Sequence, residues 1–133
     1  PDSGGAGTYR GGLGYHKTLR ATTTDITASQ CTDRHRVKTW ALFGGKEGAN
    51  GATLVQQKER DDWRPVTEAF GKASSSKYSN IVLHPGDRVR LSVSGGGGYG
   101  KPLERDRAMI EEDLREGYIS PEGARRDYGV EPR

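Results

Sequence analysis

Glycine sets the terms on which this chain can fold. It supplies 20 of 133 residues and gathers in three runs, at 4–14, 44–51 and 95–100. Glycine loses more backbone entropy on folding than any other residue, so such runs suit neither a stable helix nor a central strand. They do permit close approach of one backbone to another. Core-forming residues are correspondingly scarce. Leu 8, Val 7, Ile 4 and Phe 2 make 21 of 133, roughly 16%, below the ~20% at which a globular core becomes doubtful. The formal net charge of +3 is too small to hold a chain open as in the disordered class. The glycine runs also bracket credible strands, which is not how flexible linkers are built. The expectation is fixed, closely packed loops, with Tyr9, Arg10 and Leu13 as anchors in the first, and a chain that borrows hydrophobic surface from a partner.

Charge and cysteine usage narrow the class further. Residues 1–100 carry 14 basic and 9 acidic side chains, and residues 101–133 carry 7 and 9. No block of Lys and Arg interleaved with aromatics occurs, so nucleic acid is not an expected partner. No apolar run approaches the ~18 residues of a spanning helix, so neither is a membrane. One thiol, Cys31, excludes a disulfide scaffold and suits a reducing cytoplasm.

Period-two alternation predicts strands over 13–24 and 26–37, a short one over 40–43, and another over 52–57. Residues 58–79 read as polar and irregular, with Ser74, Ser75 and Ser76 as a mobile loop. The clearest element is a hairpin: Ile81-Val82-Leu83, a Pro85-Gly86 type II turn, then Val89, Leu91 and Val93 facing inward. Beyond 100 the chemistry turns helical. Asp106 caps a helix reaching Glu116, with Ile110 and Leu114 on one face and Gly117 past its end. Ser120-Pro121 opens a second short helix closing at Gly129. The predicted class is mainly β, with antiparallel strands in a sandwich- or barrel-like arrangement and two short C-terminal helices, incomplete without a partner subunit. Residues 1–100 form the Gly-rich β region and 101–133 the helical extension, together one domain.

Few residues group into chemistry. Gly95, Gly97 and Gly100 match G-x-G-x-x-G, but Pro102 interrupts the helix start and no second parallel strand follows, so a dinucleotide site is not expected. The backbone amides of this loop remain free, on sequence alone, to face a partner's anionic ligand. Cys31, Asp33 and His35 stand at i, i+2 and i+4, where a strand would aim all three the same way; zinc takes such ligands. A small metal-binding module is therefore one alternative, though ordinary surface roles explain the three residues more simply. No constellation makes a self-sufficient active site, so no catalytic or cofactor-binding residue is assigned.

Four stretches carry a resemblance: DSGGAGTYRGGLG at 2–14, TDRHRVKTWALFGGKEGANG at 32–51, LHPGDRVRLSVSGGGGYGKPLERD at 83–106 and REGYISPEGARRDYGV at 115–130. In this order they resemble the C-terminal region of the hydantoinase B/oxoprolinase family. The resemblance implies an accessory subunit of a heteromeric, ATP-dependent ketone carboxylase that converts an aromatic ketone to a β-keto acid. Hydantoinase-A-like and hydantoinase-B-like subunits are the implied partners, holding ATP and a divalent metal, Mg or Mn. The alternative is a C-terminal piece of an ATP-dependent hydantoinase or 5-oxoprolinase, which hydrolyse cyclic amides. In either case Arg10, Arg34, Trp40 and Tyr99 are the candidate contacts to a partner or a shared site. The two guanidinium groups suit carboxylate or phosphate.

Overall fold

The computed structural model describes residues 1–131. They divide into two compact units drawn from interleaved segments, and the division does not follow the expected boundary at residue 100. One unit combines residues 1–14, 37–50 and 94–131, so the C-terminal helices belong with the glycine runs. The other combines residues 15–36 and 51–93.

The second unit is antiparallel β. Its four-stranded sheet has the order β1 (His16–Arg20), β6 (Arg88–Ser92), β3 (Ala52–Gln56), β4 (Arg64–Pro65). A separate ribbon pairs β2 (Ile26–Cys31) with β5 (Lys77–Leu83). Along β3, alternation sends Thr53 and Val55 into the interior. Val55, Val66, Ile81, Leu83, Val89 and Ala21 form the core. A five-residue helix, α1 (Val66–Phe70), follows Pro65 and ends at Gly71 in the left-handed region, φ 61°. It lies in a stretch expected to be irregular and delivers the fully buried Val66. The β2–β5 ribbon carries a bulge, with Asn80 at φ 54° and its amide donated to Ser29 Oγ at 3.2 Å.

The expected hairpin is only half present. His84–Asp87 does turn, with the Asp87 amide donating to the His84 carbonyl at 2.9 Å and Gly86 at φ 104°. Asp87 is buried and locks the turn by accepting from the His84 and Lys58 amides at 2.9 and 2.8 Å. Yet β5 and β6 do not pair with each other. β5 pairs with β2, and β6 lies between β1 and β3. Pro85-Gly86 fixes a reversal of direction; the partner of each strand is chosen by distant apolar faces.

The first unit has little regular sheet. Its helices match the capping chemistry: α2 (Arg107–Arg115) starts at Asp106, whose carboxylate accepts from the Ala108 amide at 2.7 Å. Gly117 follows at φ 70°. Ser120 Oγ accepts from the Gly123 amide at 2.9 Å and opens α3 (Pro121–Gly123), which runs into a wider π turn over Ala124–Tyr128 and stops at Gly129, φ 65°. Ile110, Ile119, Ala124, Tyr128 and Ala6 form this unit's small core. Among the described residues no helix is long and apolar enough to cross a membrane.

Candidate functional site

The glycine runs assemble into a bundle of extended segments. Hydrogen bonds pass around three of them in one sense. The Gly5 amide donates to the Gly96 carbonyl at 2.8 Å, Gly98 to Lys46 at 3.0 Å and Lys46 to Ala6 at 2.7 Å. A second ring member repeats the pattern, Gly95 to Ala49 at 3.1 Å and Ala49 to Ser3 at 2.8 Å. Opposed residues of antiparallel strands exchange bonds in pairs. Among residues 3–6, 46–49 and 95–98 each segment donates to one of the other two and accepts from the remaining one, as in the packing of threefold extended helices about a crowded axis. Tyr9 and Tyr99, farther along, exchange both bonds as an antiparallel bridge. The axis tolerates no side chain at two central positions: a β-carbon built on Gly95 would fall on the Ser3 carbonyl, and one on Gly98 would fall on the Ala6 carbonyl.

This packing answers what the loop at 95–100 does. The amides of Gly95, Gly96, Gly98, Tyr99 and Gly100 are donated to the carbonyls of Ala49, Gly12, Lys46, Tyr9 and Leu42. The expectation that they stay free for an anionic ligand is corrected: the glycines are spent on backbone packing. Residues 40–43 are corrected too. They form no strand but lie along this loop, with the Leu42 amide donating to Gly98 at 3.0 Å and a single bridge to Tyr99.

The bundle carries aromatic side chains on its surface. The Tyr99 ring lies 5.0 Å from Phe43 and 6.2 Å from Tyr9, both tilted. All three rings are exposed, Phe43 at 73%, and Trp40 on the same segment as Phe43 is 68% exposed. Phe43 also sits at φ 50°, in a left-handed conformation that a bulky residue rarely adopts. Tyr9, Trp40 and Tyr99 were legible in the sequence as anchors or contact candidates; Phe43 was not. The signal for Phe43 was its place immediately before Gly44-Gly45.

The two arginines fare differently from expectation. Arg10 is committed within the chain: its Nε and Nη2 donate to Asp113 at 3.0 and 3.2 Å, and its guanidinium stacks on Tyr118 at 5.2 Å. Arg105 reaches the same carboxylate at 2.8 Å and the Thr8 carbonyl at 3.1 Å. A partner's carboxylate therefore finds Arg10 already engaged. Arg34, in the β unit, is half-buried at φ 63°, and its carbonyl accepts from the Gly51 amide at 2.9 Å.

The zinc arrangement is not assembled. β2 ends at Cys31 and the chain then bends, so strand alternation no longer aims Asp33 and His35 with Cys31. Asp33 pairs with Lys77 at 3.3 Å, and His35 Nε2 lies 3.2 Å from Thr32 Oγ1. Among the described residues no three His, Cys, Asp or Glu side chains gather as a metal site.

Comparison with known proteins places these features. The family model described as hydantoinase B/oxoprolinase matches residues 1–102. The caprolactamase subunit beta of Pseudomonas jessenii is 35% identical over 97% of this chain and 21% of its own length. The acetone carboxylase alpha subunit of Xanthobacter autotrophicus is 26% identical over 96% of this chain and 20% of its own. The crystal structure of the ATP-dependent caprolactamase from Pseudomonas jessenii superposes with a TM-score of 0.76 at 28% identity, covering 99% of this chain and 22% of that one. The chain thus spans about a fifth of the length of these two relatives.

Proposed function

We propose, from the premise that this chain belongs to the hydantoinase B/oxoprolinase family, that it completes a larger hydantoinase-B-like subunit in a heteromeric ATP-dependent enzyme. The observation that carries this is the aromatic surface of the glycine bundle. Phe43 combines an unfavourable backbone conformation with an exposed ring; Tyr99 lies against it, Tyr9 lies against Tyr99, and Trp40 on the same segment is exposed as well. Strain of about 1–3 kcal/mol persists where the surroundings over-determine it, and aromatics are the residues that anchor interfaces. A partner covering this face accounts for both costs.

The reaction proposed is carboxylation of an aromatic ketone such as acetophenone to a β-keto acid. ATP and a divalent cation, Mg or Mn, are bound by the larger hydantoinase-A-like and hydantoinase-B-like subunits in the cytoplasm. This chain's own contribution is structural: its amides around Gly98 are consumed by packing, and Asp113, the one buried carboxylate among the described residues of the glycine unit, is consumed by arginines. A second reading is ATP-dependent hydrolysis of a cyclic amide. It is favoured by the higher identity to the caprolactamase subunit, 35% against 26% for the acetone carboxylase subunit. The assembled enzyme separates them by its ATP consumption. Consumption that requires ketone and bicarbonate together is the expected result; consumption triggered by a lactam, hydantoin or 5-oxoproline alone would assign the hydrolase instead.

A further inference from the structure

The β unit contains a pocket of about 380 Å³ between β3, the Pro65–Thr67 corner and the 73–76 loop. Small-molecule sites span about 300–1,000 Å³. Space exists here because the surrounding residues are small. Gly51, Ala52, Ala73 and the three serines 74–76 line it, and a β-carbon on Gly51 would press to 3.1 Å of the His35 ring. The walls are held in place. Buried Thr53 shares hydrogen bonds of 2.8 and 3.2 Å with the Gln30 amide, and the Tyr78 hydroxyl donates to the same amide at 2.9 Å. On the opposite side Ser75 Oγ accepts from the Thr67 amide at 3.3 Å. Much of the polar lining is thereby satisfied internally. Ala52, Leu54, Pro65 and Ala73 supply an apolar interior.

Arg36 is the exception. It lines the pocket and is exposed, and no carboxylate among the described residues pairs with it. No Asp or Glu lines the pocket, so the lining includes one permanently charged cation and no anion. A guanidinium offers a planar fork of donors that matches a carboxylate. His35, next in the wall, has its pKa lowered by burial, so it stays neutral at neutral pH and adds no second charge.

We propose that this pocket binds a compact apolar monocarboxylate, its chain against Leu54, Pro65 and Ala73 and its carboxylate on the Arg36 guanidinium. The proposal is independent of which ATP-dependent reaction the enzyme performs. Calorimetric titration of the protein as isolated, with whatever subunits accompany it, tests the proposal with hexanoate, hexanamide and inorganic phosphate. Hexanoate binds saturably at one site per chain, hexanamide binds about tenfold or more weakly, and phosphate does not compete. Arg36→Gln reduces hexanoate affinity about tenfold and leaves hexanamide unchanged. Ala73→Phe, at an exposed loop position, fills the space and removes both. Absence of saturable hexanoate binding, binding that survives Ala73→Phe, or affinity indifferent to Arg36→Gln each overturns the proposal.

Discussion

Replacing Gly98 with Ala is expected to destabilise the glycine unit by about 3 kcal/mol or more, at the upper end of what overpacking costs. Gly98 is buried, its amide is held by Lys46, and its carbonyl accepts from Leu42. The added methyl group would meet the carbonyl of Ala6 and the backbone of Gly5, not a side chain that could swing away. The extended segments must then part, breaking the ring of hydrogen bonds among them. Gly12→Ala is the matched control. Nothing lies within 4 Å of its β-carbon position and its φ is not left-handed, so a change within about 0.5 kcal/mol is expected. Chemical denaturation of the two variants measures both. Equal stability of Gly98→Ala and Gly12→Ala would mean that close backbone contact is not what holds this unit.

Asp113→Asn is expected to cost about 3–5 kcal/mol, the range for removing one partner from a buried ion network. Its side chain is 6% exposed and serves two guanidinium groups at once, Arg10 and Arg105, themselves 14% and 4% exposed. Asn keeps the shape and one acceptor oxygen, so the loss isolates the charge. Arg105 is already under-satisfied, with its Nε buried and without a partner among the described residues. Adding Arg10→Met to Asp113→Asn is expected to recover part of the loss, because one stranded cation disappears. Glu111→Gln, which breaks an exposed pair with Arg107 at 3.0 Å on α2, is expected to change stability by no more than about 0.5 kcal/mol. Thermal denaturation distinguishes these outcomes. An Asp113→Asn protein as stable as Glu111→Gln would refute the buried network.

What the sequence disclosed was chemistry that acts over a few residues. Asp106 and Ser120 cap helices because their side-chain oxygens reach amides two or three positions on, and Gly117 and Gly129 stop them with left-handed backbone. The His84–Asp87 turn was legible for the same reason. Strand partnership was not. Val89 and Ile81 both carry apolar faces that fit a hairpin, yet each found a different sheet. Residues 40–43 alternate like a strand, but their neighbours are glycines whose missing side chains favour the bundle. Arg10 looked available to a partner because Asp113, its counter-charge, lies 103 residues away. Phe43 escaped notice because exposure and left-handed backbone have no signature in composition. Family resemblance, in contrast, was carried in large part by the glycine runs, and the fold explains why: at many of those positions, though not at Gly12, a β-carbon would run into neighbouring backbone.

The central claim is that the aromatic face around Phe43 is covered in the assembled enzyme. Hydroxyl-radical footprinting of that assembly measures it directly, reading Tyr9, Trp40, Phe43 and Tyr99 against short peptides containing the same residues. Strong protection of all four rings, despite their exposure in this chain, is the predicted result. Oxidation of Phe43 and Tyr99 in the assembly at the rate seen in the peptides would contradict it.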